Sequence, residues 1–302
     1  MGRFFPARRE RTSGEGSKSR TVHCDATLRE AMVSQLERSR VLRRPAVAAA
    51  MRSVPRHRFL PGVALEDAYA DRAIALKADG SEVLSSISQP GMIALMLELL
   101  SPAPGDRVLE IGTGSGYNAA LLAELIGSGG WVTTMDLDEE LAARARWTLA
   151  ETGYGNVRVL AGDGSLPTFG DQRYDDVVVT ARSDDVAAVW WEALAEGGRL
   201  VLPLRLEGVG EYAVGFARGD DGLLRSVGVH PCAFIALRGE GAGQRGGDVF
   251  YRRPRGRGNS PACLRPVAAV KAVRRESATP ALLGDADVVV ARPVSLFAVT
   301  FG

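Results

Sequence analysis

At 302 residues the chain has room for one large or two ordinary domains. Its 46% hydrophobic and 24% charged content is that of a globular protein, and a formal net charge of +1 gives no global attraction to nucleic acid or anionic lipid. Apolar runs such as 92–100 are too short to span a bilayer and Glu98 interrupts that one, so neither a membrane nor a nucleic-acid partner is expected.

The opening MGRFFPARRERTSGEGSKSR is basic but has no apolar run behind it, which predicts a disordered basic tail over residues 1–25 and no secretory leader. Cys24, Cys232 and Cys263 are an odd number without a CxxC pair, and His23, His57 and His230 are scattered. Reduced thiols in a cytoplasmic protein are expected, with no disulfide framework and no metal site.

From there, Leu28, Met32 and Leu36, then Val47, Ala50 and Met51, recur at helical spacing, with Pro45 suited to the first turn of a second helix. Residues 54–86 read as irregular, and Pro90 opens an apolar helix, MIALMLELL. An alternation follows: strand RVLEIG, helix NAALLAELIG, strand WVTTMDL, helix EELAARARWTLAETG, strands VRVLAG and YDDVVVTA, helix AAVWWEALAEGG, strand RLVLPL. Strands separated by helices imply a mostly parallel, doubly wound α/β sheet. EYAVGFARG and LRSVGVHPCAFIAL supply an antiparallel end. Residues 238–261 are rich in Gly and Arg and read as a linker, and 262–302 as a small C-terminal extension with some β character. The arginines of 252–257 are expected on a solvated loop.

The chemistry concentrates at residues 107–118, RVLEIGTGSGYN, where a buried strand runs into Gly112, Gly114 and Gly116 before a helix. Glycines there allow a sharp turn and close approach of a ligand. The spacing is GxGxG, not the GxGxxG of a pyrophosphate cradle, and Glu110 would repel a diphosphate while attracting a cation. S-adenosylmethionine, with its ammonium and sulfonium, fits. Asp136, 26 residues beyond Glu110, ends the next strand and is placed for ribose hydroxyls. Asp163, between Gly162 and Gly164, ends the third and is placed for an adenine amino group. Ser115 lacks glycine at both two-residue offsets, so GTGSG is no hydrolase elbow. A hydride-transfer enzyme is excluded by the missing GxGxxG.

Outside that site the chain carries AMRSVPRHRFLP (50–61), AYADRAI (68–74), SISQPGMIALMLELL (86–100), YGNVRVLAGDG (154–164) and GGRLVLPL (197–204). This ordered series resembles the protein-L-isoaspartate O-methyltransferases over residues 28–237. The resemblance implies a Rossmann-like class I methyltransferase fold, with N-terminal helices, as a catalytic domain over 26–237. It implies S-adenosylmethionine as cofactor and methylation of an Asp or isoAsp side-chain carboxylate in a peptide or protein, the ester then collapsing to succinimide. By position, Ser88 is the active-site serine, with Ser86 two residues earlier. The expected cofactor set is Glu110, Gly112, Thr113, Gly114, Ser115, Gly116, Asp136, Leu137, Asp163 and Gly164.

Three features depart from the family pattern: Gly91 stands where a large residue is common, ALKADGSEVLSS is long and polar, and Arg182-Ser183-Asp184-Asp185 replaces a proline-containing stretch. The run PLRL followed by VHPCAFIALRGEG is similar to members that tailor ribosomally made peptides in lanthipeptide-type systems. A dedicated precursor peptide is therefore the expected acceptor, with general isoaspartyl repair as the alternative and an inactive binding module as a remote third.

Overall fold

The computed structural model describes residues 24–240 apart from 168, 170–171 and 207–209, and the backbone of 249–252, 265–266 and 287–290. The basic tail expected over 1–25 lies almost wholly outside the described residues, as do Cys263 and the side chains of the 252–257 arginines.

Two N-terminal helices, α1 (Asp25–Arg38) and α2 (Pro45–Ser53), form as their spacing predicts, with Met32, Leu36, Val47, Ala50 and Met51 buried and Pro45 in the first turn of α2. A short 3-10 turn (Arg56–Phe59) and α3 (Leu65–Ala68) lead to a hairpin of β1 (Ile74–Asp79) and β2 (Glu82–Ile87). Residues 54–86 are thus more ordered than their sequence suggests. Asp79 pairs with Glu82 across a Gly80-Ser81 turn, and Gly80 takes the positive φ such a turn requires.

Helix α4 (Pro90–Leu100) follows, and then the alternation runs as read: β3 (Arg107–Ile111), α5 (Tyr117–Ile126), β4 (Trp131–Asp136), α6 (Glu139–Glu151), β5 (Val157–Ala161), β6 (Tyr174–Val179), α7 (Ala188–Ala193), β7 (Leu194–Leu206). Asp138 caps α6 by accepting the amides of Glu140 and Leu141. One element differs: the helix expected through Gly198 stops at Ala193. Both tryptophans of α7 are buried, and the chain from Leu194 pairs with β6 instead of continuing the helix.

The sheet order is β5-β4-β3-β6-β7, all parallel, continued antiparallel by β8 (Gly210–Arg218) and β9 (Leu224–Pro231). Beyond β9 the backbone of β12 (Asp287–Val290), β10 (Val249–Arg252) and β11 (Arg265–Pro266) adds edge strands, so parts of the stretches read as linker and extension pair with this sheet. Adjacent residues on the central strands face opposite layers. Val108, Val178 and Val201 join a core with α1, α2, α4 and α5, while Leu109, Val177, Leu200 and both α7 tryptophans form the other. This is the class I methyltransferase, Rossmann-like arrangement. Among the described residues no helix is long and apolar enough to cross a membrane.

Candidate active site

Strand order reverses between β3 and β6, and at such a point the loops leaving the carboxyl ends diverge and open a crevice. Here it is a cleft of about 740 Å³. Of the residues singled out by sequence, Ser86, Ser88, Gly112, Gly114, Asp136, Leu137 and Gly164 line it together. Thr113 and Ser115 line a smaller adjoining pocket that also reaches Ser86 and Ser88.

The floor is the glycine turn after β3. Gly112 has φ +99°, and a Cβ there would collide with the Thr180 hydroxyl at the end of β6. The Gly114 amide donates to Asp136 Oδ2 at 2.8 Å, and Asp136 Oδ1 accepts from the Asp138 amide at 3.0 Å. Burial pushes the Asp136 carboxyl up from its ordinary range, and these two amides act against that shift. Gly164 leaves the far end open, since a Cβ would sit 2.7 Å from an Ile111 methyl.

One wall is the β1–β2 hairpin. Ser86 pairs with Ala75, and the Ser86 carbonyl lies 3.9 Å from where a Gly114 Cβ would stand, so the serine stretch abuts the glycine turn. Lys77 Nζ ties the hairpin to α6 through Asp138 at 2.6 Å and Glu140 at 3.2 Å. The opposite wall is residues 231–238, a strap that continues from the end of β9. The Leu237 amide donates to the Arg182 carbonyl and the Arg182 amide to Ile235, both at 2.8 Å, and Arg238 Nη2 donates to the Leu84 carbonyl at 3.3 Å. The strand expected to run through Leu237 ends at Pro231, and the residues beyond it leave the sheet edge to pair with Arg182, so the sequence reading took this strap for strand; it also missed Thr180. The position of Thr180 at a strand tip, equivalent to that of Asp136, was the available signal.

Three predicted residues stand elsewhere. Glu110 is fully buried behind the glycine turn, accepting from Thr134 Oγ1 at 2.6 Å and Asn118 Nδ2 at 2.7 Å. Burial raises its carboxyl to about 7. Thr113 continues the chain through Thr134 at 2.8 Å, so Glu110 braces the floor from beneath. Gly116 caps α5, and a Cβ there would face Leu149 and Ala145 of α6, so its smallness serves helix packing. Asp163 lies outside the lining, with Oδ1 accepting from Ser165 N at 2.9 Å and Oδ2 from the Glu240 amide at 2.7 Å.

The departures have local explanations. A Cβ on Gly91 would lie 3.2 Å from both Asp71 carboxylate oxygens. Arg182 pairs with Glu211 at 2.8 Å, Asp184 with Arg205 at 3.2 Å, and Ser183 Oγ donates to the Asp185 carbonyl, so these polar groups are engaged within the fold. Among the described residues no cluster of His, Cys, Asp or Glu could hold a metal.

The cleft suits an elongated nucleoside bearing a cation. Its volume is in the range of small-molecule sites, each Asp136 oxygen accepts one amide and keeps a lone pair for a ribose hydroxyl, and the glycine cradle is one a Cβ would fill. Comparison with known proteins agrees. Residues 27–242 match the family model of protein-L-isoaspartate(D-aspartate) O-methyltransferase (PCMT). The chain is 39% identical to the protein-L-isoaspartate O-methyltransferase of Methanopyrus kandleri, over 70% of this chain and 92% of that one. It is 37% identical to protein-L-isoaspartate O-methyltransferase 2 of Archaeoglobus fulgidus, over 70% and 93%. A solved protein-L-isoaspartate O-methyltransferase superposes with TM-score 0.64 at 32% identity, over 71% of this chain and 67% of that one. A PCMT from Plasmodium falciparum in complex with S-adenosyl-L-homocysteine shares the fold, with TM-score 0.61 at 18% identity over 70% and 98%. The chain belongs to the protein-L-isoaspartate (D-aspartate) O-methyltransferase family and is an S-adenosylmethionine-dependent carboxyl O-methyltransferase acting on Asp or isoAsp residues.

Proposed function

We propose that the chain methylates the isoaspartyl carboxylate of proteins and peptides with many different flanking sequences, a repair activity. The observation that carries this is the cleft itself: the Ser86–Ser88 stretch meets the glycine turn and Asp136 in one open crevice. The names of the Methanopyrus kandleri and Archaeoglobus fulgidus relatives support the same reading. Two departures that suggested a dedicated acceptor are absorbed by the fold. The long hairpin walls the cleft, and Arg182, Ser183 and Asp184 are held by internal partners. Free thiols at Cys24 and Cys232 support a cytoplasmic location, which we likewise propose.

When bound, S-adenosylmethionine supplies an electrophilic methyl group on a sulfonium. The acceptor carboxylate, with a pKa near 4, is ionised at neutral pH, so the protein needs no general base. What its residues contribute is placement and exclusion of water. Asp136, with the turn at Gly112 and Gly114, holds the cofactor end, the strap covers it, and Ser88 orients the acceptor with Ser86 beside it. Both serines line the cleft, two residues apart in the chain, where their hydroxyls can meet a carboxylate.

The test is competition among isoaspartyl peptides with unrelated flanks, together with any co-encoded precursor peptide. Specificity constants within about tenfold of one another are expected. A preference of about 100-fold or more for one peptide would restore the dedicated-acceptor reading.

A further inference from the structure

We infer that Arg56 is a positioning residue for methyl transfer, fixing the Ser88 backbone and, together with Asp71, clamping the 88–91 turn against the start of α5. The inference rests on the reading of Ser88 as the group that orients the acceptor.

Arg56 has no exposed surface. Its Nε donates to the Ala68 carbonyl at 2.8 Å and its Nη2 to the Ser88 carbonyl at 3.0 Å. The guanidinium carbon lies 5.0 Å from the centroid of the Tyr117 ring, within cation–π range. Tyr117 is itself buried and is the first residue of α5, directly after the glycine turn. One side chain therefore touches both the residue that follows the hairpin wall and the residue that follows the cofactor floor. Asp71 completes the clamp from the other end of the turn. Its Oδ1 accepts from the Gly91 amide at 2.7 Å and its Oδ2 from Gln89 Nε2 at 3.0 Å.

Stability alone is a poor reason for this arrangement. Burying a guanidinium is costly, and an apolar residue of similar volume is often neutral or better. Here Arg56 Nη1 has no hydrogen-bond partner among the described residues, which adds to the cost. The turn, by contrast, needs outside support. Gly91 has no side chain to anchor it, and a misplacement of about 1 Å at a reacting group costs up to about 100-fold in rate.

The test uses Arg56→Lys, which keeps the charge but cannot bridge two carbonyls in one plane. Amide exchange across 86–92 should quicken by about tenfold or more, while 107–126 stays as in wild type. S-adenosylhomocysteine affinity should remain within about twofold, and the single-turnover rate should fall about tenfold with a smaller change in peptide KM. Unchanged exchange at 86–92 would overturn the inference, and so would faster exchange with an unchanged rate. Exchange and cofactor affinity deteriorating together throughout would mark a merely structural residue and overturn it too. If Arg56→Lys does not fold, Asp71→Ala replaces it, since an alanine side chain can accept from neither Gly91 nor Gln89. The same local exchange and rate loss are then expected, and their absence overturns the clamp. Exchange is read without turnover, so a wild-type protein inert on isoaspartyl peptides would fail the acceptor reading while the exchange result still decides the clamp.

Discussion

The backbone amide of Gly114 donates to Oδ2 of Asp136 at 2.8 Å, fastening the turn after β3 to the carboxylate at the tip of β4. The same carboxylate is thus both a brace for the loop and an acceptor facing the cleft. Asp136→Ala should weaken S-adenosylhomocysteine binding by about 1.5–3 kcal/mol, because a charged acceptor for two hydroxyls is lost and the Gly114 amide is left unpaired. Titration calorimetry on the variant checks this, and unchanged affinity would remove Asp136 from the site.

Ser88→Ala separates acceptor placement from cofactor binding. Cofactor affinity should stay within about twofold and the single-turnover rate should fall about five- to thirty-fold, the equivalent of about 1–2 kcal/mol. A wild-type rate at saturating peptide would take the role away from Ser88.

Glu110 gives the fold a pH dependence. Burial raises its carboxyl from 4.5 to about 7, with hydrogen bonds from Thr134 and Asn118 acting in the opposite direction. A carboxyl favoured neutral in the folded state contributes stability that is fully present below its unfolded value and lost as pH rises through about 7. Glu110→Gln stays neutral throughout. Its amide can donate toward Thr134, whose hydroxyl can then turn to Thr113, since either atom of that pair can be the donor. The difference in Tm between variant and wild type should therefore grow in the variant's favour from pH 5 to pH 8. Parallel curves would show that Glu110 does not titrate in that window.

Gly112→Ala probes the floor sterically. The positive φ and the collision with Thr180 together should cost about 2–4 kcal/mol of stability. Gly105→Ala, at φ +93° with open space around it, should cost only about 1–2 kcal/mol. Equal losses in thermal or denaturant melts would mean that Thr180 yields freely.

The glycine turn and Asp136 were legible because strand tips in an alternating α/β chain fall at one edge, so residue type and periodicity locate them without tertiary information. The hairpin was not, since β1 and β2 are half exposed on both faces and show no clean alternation. The strap was illegible for a different reason: its course is set by backbone pairing with Arg182, more than 50 residues earlier. Gly116 shows the limit of spacing, because it belongs to the same GxGxG run yet faces α6. Arg56 stood inside a motif that identified the family, but its partners are the main-chain carbonyls of Ala68 and Ser88, and those leave no mark in residue types.

The most direct measurement pairs an isoaspartyl peptide with its aspartyl twin, incubated with the protein and S-adenosylmethionine and followed by mass spectrometry for methyl ester and by assay for released methanol. Ester should form on the isoaspartyl peptide and decay to succinimide with methanol release, while the aspartyl twin stays largely unmodified. Cofactor binding without ester on either peptide would contradict an isoaspartyl methyltransferase and leave a methyltransferase fold that only binds.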